Sequence, residues 1–192
     1  MAKKESTFVS MLSTLSIVAL LAAGLLGGVY AVTKEPIRLA DLAKRNEAIE
    51  AVVAEFDSIP TAEISKYGID GDSVTLYRAV KEGKVIGTAV ETFTNNGFSG
   101  EFKLMVGFDT TGTIVDIAVI SHKETPGLGD KMERAKSDFH VQFMGKHPDE
   151  FKLAVVKDKG EVDAITASTI SSRAYCEAVQ RAYNALMAIE NN

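Results

Sequence analysis

The chain has 192 residues, 46% of them hydrophobic, a formal net charge of -5 and an isoelectric point near 5.3. That length suits one ordinary globular domain with a small addition, and an acidic chain without a Lys/Arg cluster excludes nucleic acid as a partner. One cysteine, Cys176, excludes a disulfide framework, a CxxC redox motif and a thiolate cluster for iron–sulfur or zinc.

From Phe8 to Val32 no residue is charged. As a helix rising ~1.5 Å per residue this run spans about 37 Å, enough to cross a bilayer with tilt. A cleaved signal peptide, with Val29-Tyr30-Ala31 as its processing site, would call for a shorter apolar region of roughly 7–15 residues. Lys3 and Lys4 precede the run, and a mixed set of Lys34, Glu35 and Arg38 follows it. The positive-inside bias therefore favours a cytoplasmic N-terminus at residues 1–7, a membrane helix at 8–32 and an extracytoplasmic (periplasmic) remainder, as in a single-pass inner-membrane protein. Ser10, Ser13, Thr14 and Ser16 on one half of the span, with Ala22, Ala23, Gly24, Gly27 and Gly28 on the other, predict a face that packs on a neighbouring protein. An unpaired cysteine outside the cytoplasm would survive by burial in the last helix.

Pro36 suits a helix start. After it, Ile37, Leu42, Ile49, Val52, Val53 and Phe56 recur at nearly helical spacing. This predicts a stalk helix ending near Asp57-Ser58-Ile59-Pro60, within a stalk and linker spanning 33–72. The texture then turns to β: 73–80, 84–93, 101–108 and 113–120 are β-branched or aromatic runs separated by KEG, NNGFSG and DTTG. Connections so short imply an antiparallel meander. KMERAKSDFHVQFMG holds one or two short helices, LAVV (153–156) a further strand, and SSRAYCEAVQRAYNALMAI a closing helix with Tyr175, Ala178, Val179, Ala182, Leu186 and Ile189 as its apolar stripe. The fold class is α+β: one N-terminal transmembrane helix, then a domain at 73–192 with a mainly antiparallel sheet and flanking helices.

Two stretches stand out chemically. In HKETPGLGDK (122–131) Pro126 fixes one φ, Gly127 and Gly129 free the backbone, and Leu128 sits between them. Such a loop can lay N–H groups against a planar or anionic ligand, although Pro-Gly-x-Gly also serves as a plain turn. DAITASTISSRAY (163–175) gathers Thr166, Ser168, Thr169, Ser171 and Ser172 at a helix start. Hydroxyls there either hold an anion at the positive end of the helix dipole or simply cap it, and no Glu or Gln completes a capping box. Other chemistry is thin. A serine triad lacks its GxSxG elbow, since Gly97-Phe98-Ser99-Gly100-Glu101 fails at the last position. His122, His140 and His147 fit no zinc spacing and read as surface or supporting residues, and Asp70-Gly71-Asp72 and Asp109-Thr110-Thr111-Gly112 read as turns. No residue is assigned a catalytic or metal-binding role.

Together, the membrane span, ETPGLGDK and DAITASTISS closely resemble the G-subunit family of Rnf electron-transport complexes, whose FMN-binding domain is shared by the C subunit of the sodium-pumping NADH:quinone reductase. That family's flavinylation signature runs Asp-x-x-Ser/Thr-Gly-Ala-Thr-x-Ser/Thr, and its last threonine carries FMN by a phosphoester. Asp163, Thr166, Thr169 and Ser171 match it, whereas Ala167 and Ser168 stand where the signature has Gly and Ala. The resemblance implies one covalent FMN on Thr169, with Thr166, Ser168 and Ser171 as hydrogen-bonding neighbours of its phosphate. It also implies Asp163 in recognition by a flavin transferase that uses FAD and magnesium; Ser172, outside the signature, is left as the helix cap. Glu124, Thr125, Gly127, Leu128 and Gly129 match the loop that contacts the flavin. The implied function is electron transfer in a membrane-bound, ion-translocating ferredoxin:NAD oxidoreductase, alongside its other subunits. The alternatives are a C-type homologue, which the compact length disfavours, and an anchored binding or assembly module without a redox cofactor.

Overall fold

The computed structural model describes residues 7–53, 56–57, 63–69 and 72–190. It comprises a first unit, Met1–Ala43, and a second, Lys44–Asn192. Helix α1 runs unbroken from Phe8 to Val52. Pro36 lies inside it rather than at its start. A proline removes one ladder hydrogen bond, and here an exposed ion pair spans the same turn, Arg38 Nη2 to Glu35 Oε1 at 2.6 Å. The predicted helix end at 57–60 lies mostly outside the described residues, and the helix itself stops at Val52. Among the described residues α1 is the one helix long and apolar enough to cross a membrane, and none of its most apolar stretch is buried within the protein. A single membrane anchor accounts for that exposure.

The second unit is built on a five-stranded antiparallel meander, β1 (Glu63–Ile69), β2 (Asp72–Lys81), β3 (Lys84–Gly97), β4 (Gly100–Asp109) and β5 (Ile114–Ser121), in that order across the sheet. Four of these are the predicted strands. β1 is additional, its register with β2 closing at Ile69 opposite Asp72. β3 runs four residues further than predicted, because Thr94 and Asn96 are not loop residues. Thr94 Oγ1 and Asn96 Nδ2 both donate to the Glu177 carboxylate, at 3.1 and 2.6 Å, and tie the strand to helix α2 (Thr169–Glu190).

LAVV does not form a strand. Only Val155 makes a bridge, to Val162, since the chain doubles back on itself and satisfies its own backbone: Val156 N–H donates to Val162 O at 2.9 Å and Val162 N–H to Ala154 O at 3.0 Å. Short 3-10 turns at Gly129–Met132, Phe139–Phe143 and Val156–Asp158 fill the connection between β5 and α2.

Alternation along β4 decides the layering. Phe102, Leu104, Val106 and Phe108 face one way, into a core shared with Tyr175, Ala178, Val179 and Ala182 of α2. Met105 faces the other, with Ala79, Ala89 and Ala118, against Ala48, Ile49 and Val52 of α1. The sheet is thus covered on both faces. Thr92 Oγ1 donates to the backbone carbonyl of Ala178 at 3.0 Å, locking α2 to the middle of β3. On the opposite face the helix end comes so close that a Cβ on Gly107 would overlap the carbonyl oxygen of Val52.

Burial of Cys176 in α2 pushes its thiol up to about 12. Since the thiolate is the reactive form, native protein near pH 8 should resist iodoacetamide and become alkylated only in denaturant. Alkylation of folded protein at the rate of a free thiol would contradict this packing. Gly107→Ala should cost about 3 kcal/mol in denaturant unfolding, because a backbone oxygen, unlike a side chain, cannot swing aside.

Candidate functional site

Three segments meet at one end of the sheet. Gly97 pairs with Gly100, which leaves Phe98 and Ser99 as a two-residue hairpin tip. The antiparallel register sets Ser121, the last residue of β5, opposite Lys103 near the start of β4, so the 122–129 loop emerges at the same end. The start of α2 is the third segment.

Glu124 joins them. Its side chain is buried, the residue being 5% exposed; Oε1 accepts the Ser99 N–H at 3.1 Å and Oε2 accepts the Ser171 hydroxyl at 2.9 Å. A buried carboxylate is tolerable only with such donors. Its own N–H donates to His122 Nδ1 at 3.0 Å, and His122 Nε2 lies 2.6 Å from Glu133 Oε1. Burial raises the Glu133 carboxyl, but hydrogen bonds from His122 and Lys136 outweigh it and hold the group below its ordinary value. Lys136 also reaches Asp130 Oδ2 at 2.8 Å and lowers that carboxyl. The loop closes on itself as Leu128 N–H donates to Thr125 O at 3.1 Å, with Gly127 at φ +78°. At Gly129 the backbone presses on the Glu124–Ser171 pair: an added Cβ would sit 2.6 Å from Glu124 Oε2 and 2.8 Å from Ser171 Oγ.

At the helix start the first intrahelical bond runs from Ser172 N–H to Ser168 O at 3.0 Å, which makes Ser168 the N-cap residue by position. The N–H groups of Thr169, Ile170 and Ser171 precede any helical acceptor. Ser172 is not the cap. Its hydroxyl is buried in the first turn, donating to Ser168 O at 3.0 Å and accepting the Ile165 N–H at 2.9 Å.

These segments enclose a cavity of about 300 Å³. Glu124, Thr125, Leu128 and Gly129 from the predicted loop line it, with Ser168, Thr169 and Ser171 from the hydroxyl cluster. Gly127 and Thr166 are exposed nearby but do not form its wall, and Asp163 is exposed and held by its backbone, its N–H donating to Gln142 Oε1 at 2.8 Å. The five hydroxyls are therefore distinguished by structure. Thr166 lies outside the wall, Ser168 is buried, and Ser171 and Ser172 are buried and committed to hydrogen bonds. The Thr169 hydroxyl, partly exposed on the wall, has no hydrogen-bond partner among the described residues.

Two wall residues escape sequence reasoning, Phe98 and Ile170, exposed by 66% and 48%. The signal for Phe98 is an aromatic residue between glycines at a hairpin tip; Ile170 is an apolar residue inside a hydroxyl run. With Leu128 they give the cavity apolar rims suited to a planar ring. No lysine, arginine or histidine lines it among the described residues. Arg173, one turn along α2, is engaged by Asp158 at 2.6 and 2.8 Å. A larger hollow of about 490 Å³ beside α2 contains that pair and none of the predicted residues. His140 is buried rather than at the surface, 4.0 Å from Asp116, and no group of three candidate metal ligands occurs among the described residues.

Residues 97–184 match the FMN-binding domain family. Proteins described as the G subunit of an ion-translocating oxidoreductase complex are similar to this chain. One from Shewanella baltica is 32% identical over 93% of this chain and 87% of its own length; one from Haemophilus influenzae is 33% identical over 92% and 88%. A third, from Shewanella oneidensis, is 41% identical over 58% of this chain and 54% of its own.

Ala167, on the cavity wall, has φ +60°. That region costs an L-residue with a Cβ about 1 kcal/mol or more, and glycine nothing comparable. Ala167→Gly should therefore stabilise the unmodified chain by up to about 1 kcal/mol in thermal unfolding, against the usual loss expected from adding a glycine.

Proposed function

For this chain, which belongs to the G-subunit family of ion-translocating oxidoreductase complexes and carries an FMN-binding domain, we propose electron transfer through one FMN joined by its phosphate to Thr169. The observation that carries the reading is the selection within the hydroxyl cluster at 166–172: of its five members, Thr169 is the one on the cavity wall that is both accessible and uncommitted. It lies at the first turn of α2, where unpaired N–H groups and the helix dipole favour a phosphate.

The chemistry of the wall fits the same group. Phe98, Leu128 and Ile170 offer apolar contact to an isoalloxazine ring, and Thr125 and Ser168 add polar groups. Among the described residues no cation lines the wall, so a free phosphate dianion would be held by the helix start alone, and a covalent link adds the retention that side-chain charge does not. The bound FMN would supply one- or two-electron transfer. The protein's part is to position: Glu124 fixes the hairpin tip and α2 relative to each other, and Gly129 lets the loop backbone close on them. Asp163, exposed a short way before the acceptor, is available to a modifying enzyme.

As a member of that family the chain works among other subunits of a complex. We place residues 1–7 in the cytoplasm, the span at 8–32 in the membrane and the FMN-binding domain on the far side, following the Lys3 and Lys4 bias. A covalent tether has a clear use there, since cofactor lost outside the cytoplasm has no pool to replace it.

Intact mass is the test. Chain purified from a host with the flavin transferase should be heavier by one FMN less one water, and Thr169→Ala should remove that increment while Ser171→Ala keeps it. Unmodified wild-type chain from such a host would overturn the reading.

A further inference from the structure

We propose that His122 is the positioning residue of the flavin loop, and that it holds Glu124 in place only as the neutral imidazole carrying its hydrogen on Nε2. The proposal rests on the reading of the 124–129 loop and Thr169 as the flavin site. It does not follow from the motif alone, in which His122 has no assigned part.

The hydrogen bonds dictate the tautomer. A backbone N–H can donate only to a lone pair, so the Glu124 N–H at 3.0 Å requires Nδ1 to be unprotonated. The Glu133 carboxylate accepts, so the 2.6 Å contact to Nε2 requires the hydrogen there. Adding a proton at Nδ1 would set one N–H against another and break the bond to Glu124. The carboxylate of the same residue clamps Ser99 and Ser171, so movement of its backbone is felt by the hairpin tip, the loop and the first turn of α2 together.

Charged groups face His122 from several elements. Glu133 contacts Nε2, and Lys136 lies 3.2 Å from Glu133 and 2.8 Å from Asp130. Lys44 and Glu47 of α1 share a groove with Glu133. Glu124 opposes the cation through its N–H. Acid therefore sets the Glu133 contact, which survives protonation, against the Glu124 contact, which does not. The side chain is 12% exposed, so solvent protons reach it.

Asparagine separates the two functions. A side-chain oxygen accepting the N–H two residues on is an ordinary Asx turn, so His122→Asn can keep Glu124 in place but cannot titrate, while His122→Ala keeps neither. The experiment uses full-length chain in detergent, with fluorescence of the oxidised flavin followed from about pH 8 to about pH 5, the histidine range, against riboflavin as baseline. Wild type should show a one-proton inflection. His122→Asn should match wild type at the alkaline end and lose the inflection, and His122→Ala should differ from wild type already at the alkaline end. Ring nitrogen NMR shifts of His122 should report the Nε2–H tautomer at the alkaline end in both flavinylated chain and Thr169→Ala. A proton on Nδ1 there, or an inflection that persists in His122→Asn, would overturn the proposal. If Thr169 carries no flavin, the fluorescence arm is empty in every variant, and the tautomer in Thr169→Ala still decides the role of His122.

Discussion

The buried carboxylate of Glu124 is the constraint on which this end of the protein depends. A charge placed there must be met by donors, and the two it has come from residues 25 and 47 positions away. Each donor is bound to a different element, so satisfying the charge fixes the hairpin tip and the first turn of α2 in one geometry. Leaving either oxygen unmet would cost more than the bond itself is worth, because an uncompensated buried charge is the expensive state. The arrangement is specific for that reason: alternatives that keep Glu124 buried but lose either donor leave the carboxylate unsatisfied.

Such a clamp needs rigid elements behind it. β4 is buried on both faces, and its apolar run reads as nearly continuous because α2 covers one face and the last turns of α1 the other. The helix on the second face closes in over small residues, Ala79, Ala89, Gly107 and Ala118, where larger side chains would hold it off. On the first face, hydrogen bonds from Thr92, Thr94 and Asn96 to α2 set how the helix lies along β3, and so where its first turn ends up. The cavity is thus positioned by contacts among residues outside its own wall.

Four strands, the closing helix and both site segments are legible in the sequence because each depends on local pattern: alternation, turn residues, a hydroxyl run at a helix start. What is not legible depends on partners distant in the chain. Thr94 and Asn96 read as loop until Glu177 is beside them. LAVV has the composition of a strand, yet its backbone is satisfied by its own return segment. Pro36 marks a helix start only if the preceding residues are not already helical, and here they are. Phe98 joins the site only because the 122–129 loop and α2 come to its side, and Ser172 passes for a cap until the helix is seen to begin earlier.

The absence of a cation on the described cavity wall bears most directly on how the site would work. A pocket that recognises free nucleotide has to offset the loss of water around a dianion, and does so with arginine, lysine, metal or the N–H groups of a helix start, of which the described wall offers the last alone. Here the charge on the wall is negative and already satisfied. On the proposed reading, retention is delegated to one ester bond at Thr169, and the remaining residues are free to act on the ring. That division also explains why small departures matter differently. On that same proposed reading, Ala167, through the backbone energy of the turn before Thr169, would bear on attachment, whereas Phe98, Leu128 and the Glu124 clamp would bear on what the cofactor does once it is held.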